Sequence, residues 1–209
     1  MRLSFATSAL AAFLVASLPS RGATAAPTGT DSEGSGGSGL SHGIYVAPEL
    51  KATAITNEFG LLVGGQGGWL INHRFVLGLA GYGLASTHSA PRPFQQAGAP
   101  SLIGMGYGGL RIAYVLMPYA TVHAVFGAII GAGHATAKSN DVSGPFDAHH
   151  AAAFFTAEPL AELEINVDRN VRVGFGGSWR YVAPTGLPGL SSSDLGGPAG
   201  SLVLRYGFF

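Results

Sequence analysis

Glu158, Glu162 and Glu164 share one parity of a single alternating segment, and Arg172 and Arg180 share the same parity of the next. Carboxylates and guanidinium groups placed this way form charge-assisted hydrogen bonds when their strands lie side by side. A hairpin turn at Asp168-Arg169-Asn170, with Val167 opposite Val171, sets Glu158 across from Arg180 and Asn166 across from Arg172, with Glu164 diagonal to Arg172. Other chemistry is scarce. His123 is followed by Ala124 and Val125, and His88-Ser89 falls in a connection that would hold a base poorly. A serine nucleophile needs a fixed hydrogen bond to its histidine, so no catalytic residue is assigned. Asp141, Asp147, His149 and His150 gather late in the chain without the spacing of a metal site, and a solvated loop is the preferred reading. Arg92-Pro93-Phe94 reads as surface. No cysteine is present, which excludes disulfides and thiolate metal sites. No metal and no cofactor is implied.

These residues sit in an unusual composition. The chain has 209 residues, of which 47% are hydrophobic and 11% charged; an average soluble domain carries about 25% charged residues. Eleven basic residues balance 11 acidic ones, so no basic field exists to attract nucleic acid. Met1-Arg2, the apolar run Leu3 to Leu18, the break at Pro19-Ser20 and the small residues Ala23-Thr24-Ala25 read as a secretory signal at 1–25, cleaved after Ala25. The run is shorter than the ~20 residues of a spanning helix. Residues 26–42, with Gly-Ser-Gly-Gly-Ser-Gly inside, read as a flexible linker, and 43–209 as the folded unit.

The folded unit reads as strands. Val171, Val173, Phe175, Gly177, Trp179 and Tyr181 share one parity, and Arg172, Gly174, Gly176, Ser178 and Arg180 the other. Eight such segments run near 43–56, 58–72, 74–87, 101–117, 119–137, 150–167, 170–183 and 198–209. Most exceed the roughly five or six residues usual in soluble sheets and match strands that cross a bilayer at a tilt. Connections after the second, fourth and sixth segments are short, and those after the third, fifth and seventh are long. The predicted fold is therefore all-β: an eight-stranded antiparallel up-and-down transmembrane barrel. With the apolar parity outward, the interior holds Glu49, Lys51, Gln66, Arg111, His123, Glu158, Glu162, Glu164, Arg172, Arg180 and Arg205, and no outward strand position carries a charge. A charge facing mid-bilayer costs about 2–4 kcal/mol, so the partition is informative. Trp69, Tyr114, Trp179 and Tyr181 fall near segment ends, where interfacial aromatics belong.

The last strand has Leu202, Leu204, Tyr206 and Phe208 in one phase, and Phe209 follows out of step. It resembles the C-terminal strand of bacterial outer-membrane barrels. With eight segments, 43–209 is similar to the small OmpA/OmpX-type barrel family. The resemblance implies a place in the outer membrane of a Gram-negative cell, with lipid and the barrel-insertion machinery as partners, the latter reading the terminal strand. It leaves open which Phe is the terminal one. The function it implies is structural or adhesive contact through the long loops. Two alternatives remain: a lipid-modifying barrel enzyme, and a secreted soluble barrel holding an apolar ligand.

Three details are open to test. Tyr119 to Ala137 is apolar enough for a helix, with Gly127 and Gly131 as a helix-packing pair, although its alternation favours a strand. In the fourth segment the apolar phase changes from Ile103, Met105 and Tyr107 to Leu110, Ile112 and Tyr114, which a bulge at Gly108-Gly109 or a different register would explain. The interior of an eight-stranded barrel is just wide enough for side chains to fill, so an ionic plug is expected, with Gly64, Gly174 and Gly176 as sites for water pockets or relief of crowding.

Overall fold

The computed structural model describes residues 41–56, 58–86, 88–89, 101–139, 150–183 and 191–209. The signal segment, nearly all of the linker, Arg92-Pro93-Phe94, Asp141, Asp147 and His149 lie outside them. The strands are β1 (His42–Ile55), β2 (Glu58–Ile71), β3 (Phe75–Leu84), β4 (His88–Ser89), β5 (Ser101–Leu116), β6 (Val122–Ser139), β7 (His150–Asn166), β8 (Val171–Val182) and β9 (Gly197–Phe208). One helical turn, α1 (Ser192–Leu195), precedes β9.

All pairings are antiparallel and follow chain order except that β3 and β4 both pair with β5, and β1 pairs with β9, which closes the sheet. The two residues of β4 continue the line of β3 along β5, so the ring has eight staves. His88-Ser89 is therefore strand rather than loop. Closure leaves no unpaired edge, the requirement for a sheet surrounded by lipid. The first turn on the short-connection side is built for a tight reversal: Asn72 and His73 both take the left-handed region, at φ 52° and 57°, and the Arg74 amide donates to the Ile71 carbonyl at 3.1 Å. A two-residue turn with both φ values positive matches the twist of a hairpin, and asparagine tolerates it.

The segment that could have been a helix is β6, with Val125 and Ile129 inside and Phe126 and Ile130 outside. Among the described residues no helix is long and apolar enough to cross a membrane. Of the two readings of the phase change, the bulge at Gly108-Gly109 does not form. β5 pairs residue for residue with β6 through Gly108↔Ala132 and Gly109↔Gly131, and with β3 through Gly81↔Gly108. From Ile103 to Val115 odd positions face inward, so Ile103, Met105 and Tyr107 are buried inside while Leu110 and Ile112 are exposed outside. The change of apolar phase is real in the sequence, but it marks a change in the interior from apolar to ionic.

That change repeats around the ring. At the loop end, Ile55, Leu62, Tyr82, Ile103, Met105, Tyr107, Ile129, Phe154, Leu160, Val182 and Leu195 form one buried apolar cluster. At the turn end, Tyr45, Ala47, Leu70, Val76, Ala113, Val115, Val125 and Val203 form another, with Phe209 packed against it. Charged residues occupy the space between.

Candidate functional site

The interior carries four carboxylates (Glu49, Glu158, Glu162, Glu164) and five permanent cations (Lys51, Arg111, Arg172, Arg180, Arg205), each at most 8% exposed. His123 joins them at 1%. All ten were expected inside, and the strands place all ten there.

Their contacts run mostly across the lumen. Glu158 accepts from Lys51 Nζ, Tyr107 OH and Ser178 OH, each at 2.6 Å. Lys51 also sits 3.8 Å from the centre of the Tyr82 ring and 3.8 Å from Glu49 Oε1. Glu49 Oε2 accepts from Tyr82 OH and Gln66 Nε2 at 2.7 Å, and Tyr45 OH donates to Gln66 Oε1 at 3.2 Å. Nearer the turn end, Arg111 makes a two-pronged contact with Glu162, both bonds at 3.2 Å. Arg205 bridges Glu162, at 2.5 Å, and Glu164. His123 Nε2 lies 2.9 Å from Glu164 Oε2 and 3.5 Å from Arg172 Nη1. Arg172 Nη1 lies 3.8 Å from Glu164, the diagonal contact that the hairpin register implies.

One expected pair does not form. The β7–β8 register is the expected one, with Ala157↔Tyr181, Leu160↔Ser178 and Asn166↔Arg172, so Glu158 and Arg180 lie opposite. Yet Glu158 turns to Lys51, and Arg180 donates from Nε to the Leu195 carbonyl at 2.8 Å and from Nη2 to Thr53 Oγ1 at 3.4 Å. Adjacent-strand reasoning could not find Lys51, which lies 107 residues from Glu158 on a strand that is not its neighbour. It also passed over Tyr82, Tyr107 and Ser178, the neutral donors that complete the shells of the buried carboxylates. Alternation alone marked Ser178 as inward.

The inward glycines make room for their neighbours. A Cβ on Gly174 would lie 2.6 Å from Val203 Cγ1 and 3.3 Å from Arg205 Nη1. One on Gly176 would lie 2.6 Å from Glu162 Cγ, and one on Gly64 2.1 Å from the Gly81 carbonyl oxygen. The cavity lined by Tyr45, Arg111, Glu164, Arg172, Arg205 and Phe209 measures only about 10 Å³. The charges are thus packed and partnered, as buried charges must be.

The last two residues, both Phe, point to opposite sides of the wall. Leu202, Leu204, Tyr206 and Phe208 point outward, with Phe208 65% exposed. Phe209 turns inward, its ring 3.7 Å below the Arg172 guanidinium and stacked near Tyr45 at 6.4 Å between centroids. Among the described residues no three of His, Asp and Glu converge as a metal site would need.

Outside, the wall is apolar: Ile44, Leu79, Phe175 and Leu204 are each about half or more exposed, and the strands are 10 to 18 residues long apart from the two-residue β4. Trp69 and Trp179 lie outward near opposite ends of the staves. A closed barrel with ionic groups inside and a continuous apolar wall outside inverts a soluble barrel, and it is the build of a membrane-spanning one. The soluble alternative needed an apolar centre to hold its ligand; this centre is charged and filled.

Three solved structures are similar to this chain. The chain is similar to the N-terminal β-barrel domain of Pseudomonas aeruginosa OprF, with 13% identity, a TM-score of 0.48, and coverage of 81% of this chain and all of that one. It is similar to Neisserial surface protein A, with 15% identity, a TM-score of 0.49, and coverage of 81% and 98%. It is also similar to Ail, the attachment invasion locus protein of Yersinia pestis, with 10% identity, a TM-score of 0.47, and coverage of 80% and 97%. No family model matches the sequence, and no curated protein does. The fold stands on the strand pairing above, independently of these likenesses.

Proposed function

We propose that this chain is an integral outer-membrane barrel of a Gram-negative cell, exported by the signal at 1–25, with a structural or surface-contact role carried by its loops rather than by its lumen. The observation that carries this reading is the filled interior. Among the described residues, buried apolar clusters occupy both ends of the lumen and charged side chains its middle, which supports a lumen without room for a diffusing solute. What remains free to meet a partner is the loop end, where the connections between β4 and β5, β6 and β7, and β8 and α1 are long. Loops on a rigid scaffold are where binding residues concentrate. The outward phase of β9, ending on Phe208, is the side offered to the insertion machinery and then to lipid.

His123 has no catalytic part in this reading, because its Nε2 faces Glu164 and Arg172, charged partners rather than a nucleophile. The reading is tested in cells with and without the gene. The chain should fractionate with the outer membrane and leave it only in detergent, and its loss should lower surface attachment or raise sensitivity to detergents. Release without detergent, or a large steady conductance of the purified barrel in a planar bilayer, would contradict it. A change in the lipid profile on deletion would point to enzymatic work instead.

A further inference from the structure

Arg180 is the interior cation that stands apart from the ionic network. Its side chain is fully buried, and among the described residues no carboxylate lies within ion-pair distance of it. Its guanidinium lies 5.3 Å from the centre of the Tyr107 ring, and among the described residues its Nη1 has no hydrogen-bond partner. Its shortest bond goes to α1, through the Leu195 carbonyl. The last carbonyls of a helical turn lack intrahelical partners, and a guanidinium is a strong donor for one of them.

α1 is built as a separate small piece. Ser191 and Asp194 close a capping box: the Ser191 amide and hydroxyl both donate to Asp194 Oδ2 at 2.7 Å. The Gly196 amide returns to the Ser192 carbonyl at 2.9 Å. The turn sits at the loop end of β9, between its two neighbours β8 and β1. Leu195 is fully buried in the loop-end cluster with Ile55 and Val182, and the Thr56 amide donates to the Asp194 carbonyl at 2.9 Å. Gly197, where α1 passes into β9, has φ 139°, a conformation open to glycine and strained for other residues. A self-capped turn with one buried side chain, two carbonyl tethers and a glycine at its exit is a lid.

We propose that α1 is a hinged lid on the loop-side mouth of the barrel and that Arg180 is its latch. Arg180 gives up the Glu158 opposite it and holds the Leu195 carbonyl, while Thr53, which accepts from its Nη2, donates in turn to the Pro198 carbonyl at 2.8 Å. One guanidinium thereby joins β8, β1 and the approach to β9 to the lid. The latch works whether or not the loops meet a partner. Opening would expose the apolar loop-end cluster without disturbing the ionic pairs near the turn end.

The chain has no cysteine, so a single introduced thiol reports alone. Val182→Cys places it in the cluster under α1, and Val125→Cys places a control in the turn-end cluster. The rate of modification by a water-soluble maleimide is measured on the folded barrel in micelles. With Arg180 present, both thiols should react slowly. Arg180→Met should speed Val182→Cys by about 10- to 100-fold, the factor a charged hydrogen bond is worth, and leave Val125→Cys unchanged, with Arg180→Lys in between. Equal rates at position 182 with and without Arg180, or equal acceleration at both positions, would overturn the proposal. Should Arg180→Met fail to fold, hydrogen exchange on the unaltered chain decides. The amides of Thr56 and Gly196 should exchange together and faster than those within β1 and β8, and protection of Thr56 equal to that of Lys51 would overturn the hinge.

Discussion

Replacing Glu158 by Gln is the most revealing perturbation of the interior. The carboxylate neutralises Lys51 at 2.6 Å and accepts from Tyr107 and Ser178 as well. Glutamine keeps the shape and one accepting oxygen, but it leaves a buried ammonium with only Glu49, at 3.8 Å, as a counter-charge. An uncompensated buried charge costs about 3–5 kcal/mol. Lys51→Met alone leaves the carboxylate with its two hydroxyl donors, so its cost falls at about the lower end of that range. The double variant buries neither charge. It should be more stable than the sum of the single losses by about 2–3 kcal/mol, the coupling found for residues in direct contact. The matching cycle of Glu158→Gln with Arg180→Met should give a coupling below about 1 kcal/mol, because those two side chains are opposite in register but bonded elsewhere. The assay is denaturant unfolding of the barrel in lipid vesicles, followed by tryptophan fluorescence. Additive losses for Lys51 with Glu158, or a larger coupling for Arg180 than for Lys51, would refute the pairing.

The two terminal aromatics should separate assembly from stability. Phe208→Ala removes an outward ring and should reduce the amount of assembled barrel in cells, whereas Phe209→Ala should assemble and unfold more easily by roughly 1–3 kcal/mol, having lost its contacts with Arg172 and Tyr45; the reverse pattern in membrane yield and unfolding midpoint would exchange the roles. Gly174→Val should destabilise by at least about 1–3 kcal/mol in the same unfolding assay, because its Cβ would meet Val203 and Arg205. Gly200→Ala, on the outer wall with nothing within 4 Å of the added Cβ, should be close to neutral.

Much of the barrel was legible because strands have a strict period. One parity of Val171 to Tyr181 is apolar and the other polar, and a single turn at 168–170 then fixes the register. The inward set of ten ionisable residues follows from the same parity, since lipid tolerates none of them. Two kinds of information were missing. Partners across the lumen, such as Lys51 with Glu158, depend on how the closed ring brings non-adjacent strands together, which no local pattern records. The apolar loop-end cluster was hidden because "apolar means outward" holds only beside lipid. Ile103, Met105 and Tyr107 break that rule in mid-strand, and the break looked like a bulge until the unbroken pairing of β5 showed that the interior itself changes character. α1 left little trace, since four residues hold too few turns for a helical period.

The claim beneath all of this is that the apolar wall faces acyl chains while the charges face each other. The chain has two tryptophans, Trp69 and Trp179, both outward, and Phe175 lies on the outer wall between the ends of β8. In a background with both tryptophans changed to Phe, Phe175→Trp gives a single fluorophore at mid-wall. In vesicles of lipids brominated along the acyl chain, its emission should be strongly quenched, while aqueous iodide should leave it unchanged. Quenching by iodide with none by brominated chains would place that wall in water and contradict the inside-out barrel.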